Sequence, residues 1–169
     1  MNIRSKSTTQ PRNRSIGTLF RASLTVGWEP DSADPGFDDF RHAMMTRSEK
    51  AEITICRIYC ISKTELPHLK EHLARERKAG IKIRIYYGSE RPRDMSLIYA
   101  TREALDLGSK PPTRAAEEQR ATALCALEFE TRSRRSIDEM SLHTPGSNQF
   151  RSLAQEFDRA WSEAEDYVS

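Results

Sequence analysis

Residues Glu52 to Gly88 read EITICRIYCISKTELPHLKEHLARERKAGIKIRIYYG, and this stretch decides the fold. Glu52 to Ser62 is β-branched, aromatic and almost continuously apolar, the pattern of a central strand covered on both faces. Leu66, Leu69 and Leu73 then fall on one face at helical spacing. Thr64 is placed to cap that helix, and Pro67 fits its first turn, where a backbone amide has no intrahelical partner. Gly80 ends it as a glycine free to adopt a left-handed conformation. Ile81, Ile83, Ile85 and Tyr87 alternate with Lys82, Arg84 and Tyr86, which is strand periodicity. Strand, helix, glycine and strand make a βαβ unit, with a right-handed crossover and two parallel strands.

Upstream, Leu19 to Trp28 has the character of a first strand, closed by Gly27 and Pro30. Asp34-Pro35 is a helix-start pair, aspartate capping and proline in the first helical position. Phe37, Phe40 and Met44 follow on one face, and the helix is expected to end near Lys50. Residues 1–15 are rich in Ser, Thr, Arg, Asn and Gln and are expected to be a disordered tail. Residues 16–169 are expected to form one domain.

Downstream, Asp94 is positioned to open a third helix carrying Leu97, Ile98, Thr101 and Leu105 and closed by Gly108. Residues 109–122, with Pro111-Pro112, are expected to be a loop with one short helix. Ala123 to Thr131 reads as a strand, and Ile137 to Leu142 as its antiparallel partner. Thr144 to Ser147, TPGS, is a turn. From Asn148 a long amphipathic helix places Phe150, Leu153, Ala154, Phe157, Trp161 and Ala164 on one face, so Trp161 is expected in the core. The expected fold class is therefore α/β, a mixed sheet with a central parallel βαβ unit, flanking helices and a C-terminal amphipathic helix.

Composition narrows the partners. The 169 residues carry 27 Lys and Arg against 25 Asp and Glu, a formal net charge of +2. Five of those bases, Arg4, Lys6, Arg12, Arg14 and Arg21, lie in residues 1–28, which hold no acid. Removing the five leaves 22 bases against the 25 acids, so the body is mildly acidic. Weak contact with nucleic acid or an acidic surface is thus expected of the tail. No run approaches the ~18 apolar residues of a membrane span, and the first ten residues are no secretory signal. Cys56, Cys60 and Cys125 lie in apolar segments and read as buried free thiols of a reducing, cytoplasmic compartment.

Motifs for catalysis are incomplete. The glycines form neither GxGxxG nor GxxxxGK, and no cofactor is implied. His68 and His72 stand four apart in HLKEH, which is not HExxH, and solvated helix-surface histidines are the expectation. His143 ends a strand just before Gly146, Ser147 and Asn148, where a helix N-terminus favours anions. It is the candidate catalytic residue. Arg91, Arg93, Ser147 and Asn148 are the candidate ligand-binding residues, the two arginines because they follow the second parallel strand, at the edge where open α/β sheets take ligands. Arg132 to Arg135 are expected at an exposed hairpin tip. No metal ligand set is expected.

Two segments resemble the phospholipase D-like (HKD) superfamily. Phe37 to Gly88 has that family's order of helix, core strand, helix and strand, and Ala79-Gly80-Ile81-Lys82-Ile83-Arg84 is similar to its A-x-x-G-V-x-V-R stretches, with one residue fewer before the glycine. Phe150 to Ala164, FRSLAQEFDRAWSEA, looks like the helix that closes such domains. The family's catalytic signature is His-x-Lys-x4-Asp, whereas His143 is followed by Thr144 and Pro145. The resemblance therefore implies a degenerate single-unit copy without phosphodiesterase activity. It implies a sensing or binding domain that pairs as a homodimer and takes a phosphate-type ligand. The alternatives are a small phosphodiesterase or nuclease with an atypical site around His143, and a translocated effector or other interaction protein.

Overall fold

The computed structural model describes residues 17–25, 35–50, 53–101, 121–130 and 139–168. The tail, the Asp34 cap, Leu105, Gly108, the segment 109–120 and Arg132 to Arg135 lie outside them.

The chain forms a seven-stranded mixed sheet with helices on both faces. In order come β1 (Gly17–Thr25), α1 (Pro35–Glu49), β2 (Ile53–Cys60), α2 (Leu66–Lys78), β3 (Lys82–Tyr86), β4 (Asp94–Thr101), β5 (Ala121–Glu130), β6 (Glu139–His143), α3 (Asn148–Glu163) and the two-residue β7 (Glu165–Asp166). Across the sheet the order is β6-β5-β4-β1-β2-β3-β7. β1, β2 and β3 are parallel, and β4, β5 and β6 form an antiparallel meander joined to β1. The expected βαβ unit is β2-α2-β3.

β2 is buried on both faces because its side chains feed two cores. Cys56, Ile58 and Cys60 join Met95, Leu97 and Ala126 under Phe150, Leu153 and Phe157 of α3. Ile53, Ile55 and Tyr59 join Leu69 and Leu73 of α2 and Ile83 and Ile85 of β3 on the other face. Cys56 and Cys60 are buried free thiols as expected, whereas Cys125 is only partly buried. Its position beside the irregularity between Ile98 and Tyr99 in the β4-β5 register leaves it off the α3 side.

Asp94 to Thr101 is a strand and not the expected helix. Leu97, Ile98 and Thr101 fit a helical stripe, but Met95 and Leu97 alternate into the α3 core at 0% exposure while Ser96 and Ile98 face the other way. The vacancy between β1 and β5 is a two-sided ladder position, and pairing along both edges outweighs the local spacing.

The start of α2 also differs. Thr64 does not cap it. Ser62 and Glu65 form a reciprocal pair instead: Ser62 N–H and Oγ–H donate to Glu65 Oε2 at 2.9 and 2.8 Å, and Glu65 N–H donates to Ser62 Oγ at 3.3 Å. The pair has the form of a capping box, S-K-T-E in the sequence, on the turn that leads into α2, whose own N-cap Glu65 makes no side-chain cap bond. At the other end Gly80 has φ +86°. Its N–H donates to Arg77 O and the Ile81 N–H to Glu76 O, at 2.9 and 3.1 Å, which closes the helix in a Schellman turn.

Trp161 is half-buried, less than expected for a core residue. It stacks on Phe157 with ring centroids 5.7 Å apart, and the Arg84 guanidinium lies 4.6 Å from the centre of its ring. Arg84 also donates to Trp161 O at 2.6 Å and to Asp166 Oδ1 at 2.8 Å, tying the end of α3 to β3.

Candidate functional site

Arg93 stands just before β4, Glu128 on β5, His143 at the end of β6, and Ser152 and Glu156 one turn apart on α3. The fold brings these five together on the α3 side of the sheet. β5 alternates, so Glu128 shares the face of buried Ala126, and β6 pairing sets His143 directly opposite Ala126. Glu128 bridges two partners: Oε2 lies 2.9 Å from His143 Nε2, and Oε1 accepts from Arg93 Nη1 at 3.0 Å. Arg93 donates further from Nε to Glu156 Oε2 at 2.9 Å and from Nη2 to Ser152 Oγ at 2.9 Å. Its backbone N–H reaches Glu156 Oε1 at 2.7 Å. Partial burial pushes the Glu128 carboxyl up, but the hydrogen bonds from His143 and Arg93 outweigh it and hold the group below the usual carboxylate range.

Of the expected site residues, His143 and Arg93 share this cluster and the others do not join it. Ser147 is the N-cap of α3: its Oγ accepts from Phe150 N–H at 3.1 Å and donates to Thr144 O at 2.8 Å. Asn148 Oδ1 accepts from Arg151 Nη2 at 3.0 Å. Both serve the helix start. Arg91 is exposed near the carboxyl end of β2, close enough for its charge to act on the Cys60 thiol, which burial and Asp94 push up to about 12 against that influence.

A second polar network lies on the opposite face, between β2 and α2. Arg57 Nη1 is bonded to Glu76 Oε1. Tyr59 Oη donates to Glu76 Oε2 at 2.8 Å and lies 3.0 Å from His72 Nε2, which is itself 3.3 Å from Glu76 Oε1. Glu76 and His72 are 1% and 4% exposed. Burial alone raises the Glu76 carboxyl, but Arg57, His72 and Tyr59 together hold it below its ordinary value. Burial first, then the Glu76 charge, raises the Tyr59 hydroxyl. The expectation that both helix histidines are solvated fails for His72, because position 72 falls beside Leu69, Leu73 and Glu76 on the buried stripe. His68 is exposed, as expected. Among the described residues no group of three metal-ligating side chains occurs.

Sequence signals for this network were present. Arg57 is the one charge inside ITICRIYC, and Glu76 falls seven residues after Leu69 on the same stripe. A charge in a two-sided core strand requires a buried partner of opposite sign. Glu128 and Glu156 had no such signal.

No family model matches the chain, and no curated protein matches it. Among solved structures it is similar to TrmBL2, an archaeal chromatin protein with a novel mode of DNA binding. The TM-score is 0.41 and the identity 12%, over 88% of this chain and 45% of that one. The chain thus spans less than half of that protein's length, and a likeness of this size assigns neither fold nor ligand. No helix among the described residues is long and apolar enough to cross a membrane.

Proposed function

We propose that the chain is a non-catalytic phospholipase D-like sensing or binding domain that acts by self-association and takes a phosphate-type ligand. One observation carries the non-catalytic part: Arg93 and His143 are held by carboxylates of their own chain. Phosphoryl transfer needs cations aimed at phosphate oxygens. Here Nε, Nη1 and Nη2 of Arg93 all donate within the cluster. An incoming phosphate would also meet Glu128 and Glu156 as like charges. The phosphate-type ligand is assigned to Arg91, exposed at the carboxyl edge of the parallel strands. Nucleic-acid or acidic-surface contact is assigned to the basic residues from Arg4 to Arg14.

The test is a pair of measurements. An activated phosphodiester such as bis(p-nitrophenyl) phosphate should show no turnover, and inorganic phosphate should bind the wild type and lose affinity on Arg91→Ala. Robust turnover that disappears on His143→Ala overturns the reading. That result belongs to the second reading, a small phosphodiesterase, which one distance favours. Glu128 at 2.9 Å from Nε2 orients the imidazole as a general base is oriented, with Nδ1 left for substrate.

A further inference from the structure

We propose that β6 is the surface of self-association: two copies pair their β6 strands antiparallel about a two-fold axis at Ser141, joining two seven-stranded sheets into one. This rests on the self-association part of the reading above and names its surface.

The first observation is position. β6 is the outermost strand at its end of the sheet, paired with β5 on one side among the described residues. An open edge presents a row of backbone donors and acceptors to another strand. The opposite edge is the two-residue β7, a far shorter template.

Exposure is the second. Met140 and Leu142 are 59% and 64% exposed. They stand opposite Phe129 and Leu127 on β5, and Leu124, 52% exposed, continues along that strand. The outer strand thus extends an apolar strip on the sheet face away from α3.

The third is the order of residues in β6, Glu-Met-Ser-Leu-His. Its chemistry is symmetric about Ser141. In the two-fold pairing Glu139 opposes the partner's His143, Met140 opposes the partner's Leu142, and Ser141 opposes its own copy. Acid meets base twice and apolar meets apolar twice. A slip of one residue would set the apolar side chains on the polar face. A two-fold centred on Met140 or Leu142 loses both charge pairs. Within its own chain Glu139 stands directly opposite Glu130, a like-charge neighbour. A second copy adds a histidine on the other side of Glu139. His143 would then lie between Glu128 of its own chain and the partner's Glu139.

A five-residue strand is only roughly 17 Å long, so the interface is smaller than that of a permanent complex. The dimer is expected to be weak, with a dissociation constant of roughly micromolar order. Sedimentation velocity across a concentration series reads it directly. Leu142→Lys should weaken dimerisation about tenfold or more, and Glu139→Lys about threefold or more, since each pair occurs twice. Ser141→Cys in a Cys125→Ser background should form an intermolecular disulfide on oxidation, because opposed Cα atoms at roughly 4.5–5.5 Å are within bridging distance. Circular dichroism checks that each variant is folded, and Met140→Lys stands in if Leu142→Lys is not.

A wild type that stays monomeric at every concentration overturns both this inference and the self-association reading. A dimer indifferent to all the β6 variants leaves self-association standing and overturns the β6 assignment alone. A dimer weakened by Leu142→Lys but not crosslinked through Ser141→Cys overturns the two-fold register.

Discussion

Arg57 and Arg93 sit on opposite faces of one sheet, and each is held by glutamate in a cluster that includes a histidine. Their surroundings differ. The Arg57 side chain is 12% exposed and its partner Glu76 1%, whereas Arg93 is 40% exposed and both its glutamates 22%. Both clusters contain the same kinds of groups, but water has freer access to the second. In the buried cluster each member depends on the others, because a charge left without its partner has little solvent to turn to. In the open cluster water replaces any member that is lost. The first network fixes α2 on β2, and the second can be rearranged without unfolding the domain.

The sharpest way to break this comparison is Glu76→Ala. It leaves Arg57 buried without its carboxylate, and a loss of about 3–5 kcal/mol is expected by chemical denaturation. A loss below about 1 kcal/mol would mean that water enters the network. Arg57 Nε already lacks a hydrogen-bond partner. Replacing both partners by apolar residues, Arg57→Met with Glu76→Leu, should therefore recover part of the loss. Tyr59→Phe should cost about 1–2 kcal/mol, since it removes the hydroxyl that joins Glu76 to His72.

Acid titration separates the two faces in a different way. The Glu76 and Glu128 carboxyls are both lowered in the fold, from an ordinary value of 4.5. Their stabilisation is therefore complete above that value and is lost as pH falls through the lower folded-state values. Unfolding free energy measured from neutral to strongly acidic pH should fall on the acid limb. Glu76→Gln should flatten that limb more than Glu128→Gln does, and equal flattening would contradict the contrast in burial.

At the open cluster Arg93→Ala should cost only about 1 kcal/mol, because its pairs are solvent-screened. His143→Ala, which removes one hydrogen bond to Glu128, should cost about 0.5–1 kcal/mol. If His143→Ala matched Glu76→Ala in thermal or chemical denaturation, the open cluster would be a second structural core.

How much of this was legible in the sequence follows the distance between partners along the chain. The β2-α2-β3 unit was legible because its signals are local: an apolar run, a stripe ending at Gly80, and alternation after it. The β5-β6 pairing and the α3 stripe were legible for the same reason. β4 was not, because Leu97, Ile98 and Thr101 satisfy helical spacing, and its neighbours, β1 and β5, lie far away in sequence. Arg93 and His143 were legible as candidates from their places at strand ends. The groups that hold them were not, since Arg93 meets Ser152 and Glu156 across 59 and 63 residues. Ser147 and Asn148 pointed both to a ligand and to a helix cap, and Ser147 is the N-cap of α3.

The position of β1 has a kinetic consequence. It is the earliest of the described strands, yet it sits mid-sheet, paired with β2 on one side and, residue 18 against residue 100, with β4 on the other. The β2-α2-β3 unit closes through short connections, whereas the β1-β4 ladder must close a long loop before any of its hydrogen bonds form. The expected order of assembly is therefore the βαβ unit first, with β1 entering late to join it to the β4-β5-β6 meander. Under that order Ala22→Gly should speed unfolding and leave the folding rate nearly unchanged, while Ile58→Val should slow folding. Stopped-flow chevrons would show the reverse if β1 were in the nucleus.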